Sequence, residues 1–213
     1  MSYFVKEIFY SIQGEGVQSG RPAIFCRFTG CNLWNGKEVE RKSSICSFCD
    51  TDFLGTNGIL GGKYKSANSL TRAIYSQWPQ KLKLKLKKFV IFTGGEPSLQ
   101  IDSNIIRSLH DLNFEIAIET NGTIPLPKGL DWICVSPKEG ADLKVKSGNE
   151  IKLVVPQKNQ NLDFYSKLDF DNFLLQPMYG PNLEDNTRLA INLCKNNPIW
   201  KISLQTHKIL FLP

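Results

Sequence analysis

The sequence predicts an α/β fold, a partial and open TIM-like barrel of about six mostly parallel strands with helices between them. Three observations predict it. Short apolar strands alternate with stretches of helical periodicity. Polar or Gly-rich clusters recur just after the strands, at residues 93–96, 119–122, 136–138 and 176–179, as expected of one site along the carboxyl edge of a parallel sheet. The chain has 213 residues, short of the ~250 of a full eight-unit barrel.

Residues 3–10 alternate loosely and read as a strand. Ser11-Ile12-Gln13-Gly14-Glu15-Gly16 follows. Its glycines permit a tight turn or a close approach to a ligand, and equally an ordinary loop. Residues 22–29 form a second strand, interrupted by Arg27. A buried Arg must find an anion, here either Glu15 or a substrate carboxylate. Residues 35–45 are a charged insert, a short helix or an excursion. Asp50, Thr51 and Asp52 then bring oxygens that suit a hard cation or a turn. Asp52 reads as turn chemistry, and Thr51 stays open.

Leu70, Ala73, Ile74 and Trp78 give residues 66–78 a helical face that Pro79 ends. Residues 89–92 are a buried strand leading to Thr93-Gly94-Gly95-Glu96-Pro97. Ile105, Ile106, Leu109 and Leu112 place a helix at 103–112, with His110 near its surface. Strands at 115–120, 132–135 and 151–155 lead to Glu119-Thr120-Asn121-Gly122, Ser136-Pro137-Lys138 and Pro156. A helix at 162–168 precedes Gln176-Pro177-Met178, a helix spans 183–194, and 200–205 is the last strand. No linker or repeat divides the chain, so one domain over 1–213 is expected.

A 41% hydrophobic and 22% charged composition is globular. No apolar run approaches the roughly 18 residues of a membrane span. The first ten residues lack a signal-peptide pattern. The expectation is a cytoplasmic protein with reduced cysteines. Cys26, Cys134 and Cys194 sit singly in apolar stretches and read as small buried hydrophobes. The net charge of +6 is concentrated in the Lys/Leu run at 81–88. That run carries no interleaved aromatics for base stacking, and reads as a solvated face or a dock for an acidic partner.

Cys31, Cys46 and Cys49 fall within 19 residues, the last two spaced C-x-x-C. A structural zinc wants four ligands and a thioredoxin-like site two. Three cysteines on a 4Fe–4S cluster leave one iron open. Spacing alone leaves zinc and iron–sulfur both open.

The cysteines, Thr93-Gly94-Gly95-Glu96-Pro97 and Glu119-Thr120-Asn121-Gly122 together resemble the radical S-adenosylmethionine (SAM) superfamily. The gap between Cys31 and Cys46 departs from its usual C-x3-C-x2-C. Ser11–Gly16, Phe25-Cys26-Arg27-Phe28, Gly30-Cys31-Asn32-Leu33-Trp34, Cys46-x-Phe48-Cys49-Asp50-Thr51, Val135-Ser136-Pro137-Lys138, Gln176-Pro177-Met178 and Gln205-Thr206-His207-Lys208 resemble the 7-carboxy-7-deazaguanine synthase family, some of whose members carry this enlarged gap.

The resemblance implies a radical SAM lyase of the queuosine pathway. It would convert 6-carboxy-5,6,7,8-tetrahydropterin to 7-carboxy-7-deazaguanine and ammonia through a 5′-deoxyadenosyl radical. It implies a 4Fe–4S cluster on Cys31, Cys46 and Cys49, and Mg²⁺ at Thr51. It implies SAM contacts from Phe48, Cys49, Asp50, Gly95, Glu119, Ser136, Pro137, Lys138, Gln176, Pro177, Met178 and Tyr179. Glu96 either meets the SAM amine or supports its turn. Substrate contacts fall to Ile12, Gln13, Gly14, Glu15, Arg27, Thr93, His207 and Pro213. The apolar end, 209–213, is expected to pack, with segment 200–213 closing the substrate site. A homodimer is implied, and a flavodoxin-like electron donor docking on the lysine run is the accompanying expectation. A glycyl-radical activating enzyme and a zinc module binding a partner or RNA are the rival readings.

Overall fold

The computed structural model describes residues 2–79 and 87–213. The chain begins with β1 (Tyr3–Ile12), returns antiparallel as β2 (Pro22–Phe28), and adds β3 (Gly62–Tyr64) to the far side of β1. The cysteine loop lies between β2 and β3 and contains a 3₁₀-helix at Glu38–Ser43. Alternation follows through α1 (Ala67–Gln77), β4 (Lys88–Gly94), α2 (Ser103–His110), β5 (Phe114–Thr120), β6 (Trp132–Val135) and β7 (Ser147–Val155). The chain continues through α3 (Leu162–Tyr165), β8 (Asp169–Pro177), α4 (Leu183–Asn196), β9 (Trp200–Ile202) and α5 (Thr206–Ile209).

Among the described residues these strands form one sheet, ordered β3-β1-β2-β4-β5-β6-β7-β8-β9. From β2 through β4 to β9 each neighbour is parallel. The edges β3 and β9 do not pair, so the barrel is open, as expected. Nine strands replace the expected six or so. The antiparallel β1 and β3 extend one edge, and three-residue β9 extends the other.

The core explains why parallel strands read as unbroken apolar runs. Phe89, Val90, Ile91 and Phe92 of β4 are each fully buried. Successive side chains point to opposite faces. Val90 and Phe92 meet Leu70 and Ile74 of α1 and Ile105 and Leu109 of α2, while Phe89 and Ile91 meet Ala23 and Ala117 on the other face. Burying each such side chain contributes about 1.5–3 kcal/mol. Ile151, Leu153, Val155 and Leu175 pack with Ala190 and Trp200 in the second half.

Local chemistry sets the ends. Ser66 and Ser69 form a reciprocal capping box before α1. The Asp102 carboxylate accepts from the N–H groups of Asn104 and Ile105 at the start of α2. α2 stops at His110, two residues before the expected end, and His110 pairs with Asp131 at 2.9 Å. α3 is also shorter than expected. The last strand ends at Ile202, not 205, and residues 206–209 turn into α5. The expectation of a packed apolar end fails: Ile209, Leu210 and Phe211 are exposed, Phe211 to 94%. Residues 81–86 of the lysine run at 81–88 lie outside the described residues. Among the described residues, no helix is long and apolar enough to cross a membrane.

Candidate active site

A cavity of about 380 Å³ opens at the carboxyl edge of the parallel strands. Its walls come from the cysteine loop, the turns after β1, β4, β5, β6 and β8, and α5. Of the site residues expected from the sequence, all except Pro137 and Glu96 line it. The Pro137 carbonyl instead accepts from Gln157 Nε2 at 3.4 Å.

Cys31, Cys46 and Cys49 form one wall, and all are free thiols. The turn after β4 grips the first of them. Glu96 N–H donates to the Gly30 carbonyl at 2.8 Å and Gly95 N–H to the Phe28 carbonyl at 3.2 Å. A Cβ on Gly95 would lie 2.0 Å from the Gly30 oxygen and 3.1 Å from Cys31 Cβ, so only glycine allows this approach. A hydrogen bond from the Cys46 thiol holds Cys49 down at about 6 and pushes Cys46 up, while burial pushes Cys31 up. The pair thus presents one ready thiolate, the form that binds metal. The donor set therefore fits an iron–sulfur cluster held by three cysteines.

The insert shapes the same loop. Arg41, in the 3₁₀-helix, donates to the carbonyls of Ser47 at 3.2 Å and Cys49 at 2.8 Å, and lies 3.9 Å over the Trp34 ring. Asp52 pairs with Lys6 at 2.8 Å and accepts from the Leu54 N–H, so the turn reading was right. Asp50 pairs with Lys208 and accepts from Gln205 Nε2. Thr51, between two lysine-paired aspartates, lines the cavity.

The opposite wall is a charged cluster. Lys152 of β7 is 4% exposed and pairs with Glu15 at 2.8 Å and Glu119 at 2.9 Å. Gln13 Nε2 donates to Glu119 at 3.1 Å, and Gln205 Nε2 to Glu15 at 2.8 Å. Burial opposes ionisation of Glu15, but the Lys152 ammonium and the Gln205 amide hold its carboxyl down at about 2. Burial pushes Glu119 up, only partly offset by Lys152. Cys134 is buried, as expected, but it hydrogen-bonds Glu119 rather than serving only as a hydrophobe. Glu119, Cys134 and Glu150 place ligand atoms within 4.8 Å of one another. The Lys152 ammonium already supplies the cation against Glu119.

Arg27 does not pair with Glu15. It donates Nε to Glu7 at 2.8 Å, its direct cross-strand partner. α5 closes over the Gly14 turn. Thr206 N–H and Oγ1 each donate to the Gly14 carbonyl at 2.9 Å. A Cβ on Gly14 would meet His207 Nδ1 at 2.3 Å. Burial disfavours protonated His207, against the attraction of Glu15. Glu96 is fully buried and accepts from Ser98, Thr120 and Asn121, which makes it a support of its turn. Lys138 donates to the Ser136 carbonyl and hydroxyl at 2.6 and 2.8 Å. The sequence reading missed Glu7, Lys152 and Lys208, whose partners come from other elements.

No family model matches the chain. It is 55% identical over 213 residues to the 7-carboxy-7-deazaguanine synthase of Burkholderia multivorans, covering 100% of both chains. It is 52% identical over 210 residues to that of Bradyrhizobium diazoefficiens, covering 99% of both. The chain belongs to the 7-carboxy-7-deazaguanine synthase family. Its fold is also similar to the crystal structure of QueE from Escherichia coli, with a TM-score of 0.70, 28% identity, and 96% and 94% of the two chains covered. As a member of the 7-carboxy-7-deazaguanine synthase family it is a radical SAM enzyme of the lyase class acting in queuosine biosynthesis. Membership sets aside the glycyl-radical activator and the zinc module.

Proposed function

We propose that the chain converts 6-carboxy-5,6,7,8-tetrahydropterin to 7-carboxy-7-deazaguanine and ammonia, as one domain over 1–213 with segment 200–213 closing the substrate side. One observation carries this reading: three free thiols and an acceptor wall built on Glu15, Lys152 and Glu119 face a single cavity. Cys31, Cys46 and Cys49 would hold a 4Fe–4S cluster. Phe48, Asp50, Gly95, Glu119, Ser136, Pro137, Lys138 and residues 176–179 would hold SAM, and Thr51 would ligate Mg²⁺. When bound, these groups supply the radical chemistry that removes a hydrogen from the substrate.

The chain's own residues bind and orient. Glu15 spends one oxygen on Gln205 and one on Lys152. A carboxylate offers about four lone-pair sites, so two remain for the N–H edge of a pterin. Arg27 brings a permanent cation for the substrate carboxylate. Gln13 and Thr93 add polar contacts, and Ile12, Gly14 and Pro213 shape the walls. His207 packs over Gly14 beside Glu15. An acidic flavodoxin-like donor and a homodimeric assembly complete the proposal.

The test is turnover of 6-carboxytetrahydropterin by anaerobically reconstituted protein with SAM, Mg²⁺ and a strong reductant, followed by product mass. Deazaguanine formation that vanishes in Cys46→Ala supports the reading. SAM cleavage without deazaguanine overturns the substrate assignment.

A further inference from the structure

We propose that Lys152 is a positioning residue for this reaction, its ammonium fixing the substrate-side carboxylate of Glu15 and the SAM-side carboxylate of Glu119 in one charged geometry. The inference rests on the function proposed above and adds the residue that joins its two halves.

Lys152 is almost wholly enclosed, and its two ion pairs reach across the fold. Glu15 comes from the turn after β1, Glu119 from the end of β5. The titratable groups that act on the ammonium are Cys134, Glu119 and Glu15 from neighbouring elements and Glu150 from its own strand, with His207 of α5 nearby. Glu150 is occupied elsewhere, its Oε2 accepting from the Val17 N–H at 2.8 Å. Glu15 and Glu119 therefore depend on Lys152 for their charge partner. Without it, two carboxylates would share a poorly hydrated wall, and one would take up a proton. A protonated Glu15 offers a donor where a pterin edge needs an acceptor.

Removing one partner of a buried pair leaves an uncompensated charge, a larger loss than the pair itself is worth. Lys152→Met keeps the unbranched apolar stem, one atom shorter, and removes the charge. Infrared spectra of the unloaded protein with ¹³C-labelled glutamate should show a new carboxylic acid band at neutral pH in Lys152→Met, absent from the wild type. In the reconstituted enzyme, kcat/KM for the carboxypterin should fall about 100-fold, mostly through KM. It should partly recover as pH rises and the extra proton leaves, where the wild type stays flat. Lys152→Arg should retain the wild-type pH profile.

A purely structural lysine would lower the melting temperature without a new acid band or a new pH dependence, and that result overturns the proposal. So does wild-type kcat/KM in a folded Lys152→Met. Should Lys152→Met fail to fold, Glu15→Gln/Lys152→Met leaves a single orphaned carboxylate, Glu119, which can take up a proton, and is expected to restore folding. An equally unfolded double variant counts against the proposal. A wild-type enzyme that makes no deazaguanine refutes the function, while the infrared result on unloaded protein still decides the role of Lys152.

Discussion

Replacing Glu96 by Gln should destabilise the protein without touching a ligand. The side chain is fully buried and does not line the cavity. Its Oε1 accepts from Ser98 N–H at 3.0 Å, Ser98 Oγ at 2.6 Å and Thr120 Oγ1 at 2.7 Å. Its Oε2 accepts from Asn121 N–H at 2.7 Å. Four donors on two oxygens leave no place for an amide NH₂. Turned toward Asn121, the amide would face an N–H and orphan it, at about 1–3 kcal/mol. The other three bonds would drop from charge-assisted to neutral, a further loss of roughly 1 kcal/mol or more each. The sum is about 4–6 kcal/mol. At about 2–4 °C per kcal/mol for a domain of this size, the melting point should fall by roughly 8–24 °C. Thermal and urea unfolding of the unloaded protein measures this. An unchanged melting point with lost SAM affinity would refute the reasoning and return Glu96 to the SAM amine.

Arg41→Ala frees the carbonyl of Ser47, next to the second thiol, and that of Cys49, which carries the third. Reconstituted protein should then lose iron to a chelator several-fold faster, with only a small drop in the melting point of the unloaded protein, since Arg41 is half-buried in the insert and packs over Trp34. Equal iron loss would show that the insert does not hold the loop. For Glu15, the folded value of about 2 lies below the ordinary 4.5. Its contribution to stability is thus complete above about pH 4.5 and is lost as pH falls toward 2. The stability gap between wild type and Glu15→Gln in denaturant titrations should shrink across that window. A gap constant with pH would contradict the Lys152–Glu15 pairing.

The parts of this molecule that were legible in the sequence are those written locally. β4, β5 and β6 are buried on both faces, so their apolar runs announce them, and the expected bounds lie within two residues of the observed ones. The site motifs follow strand ends, so the fold gathers nearly all of them around one cavity. β3 was missed because Gly62-Lys63-Tyr64 carries no periodic signal and exists only through pairing with β1. β7 begins four residues before its expected start because Ser147 to Glu150 are polar. Partners separated in sequence were illegible for the same reason. Glu7 meets Arg27 through the register of β1 against β2, after a shift between Val5 and Glu7. Lys152 looks like an interruption of an apolar strand until β5 and the β1 turn are seen beside it.

The most direct test of the central claim is isotope transfer. Carboxypterin deuterated on its reduced ring carbons would be given to the anaerobically reconstituted enzyme with SAM, Mg²⁺ and reductant. The account predicts deuterium in 5′-deoxyadenosine, accumulating in step with 7-carboxy-7-deazaguanine, and neither product in Cys46→Ala. Unlabelled 5′-deoxyadenosine formed without deazaguanine would contradict it.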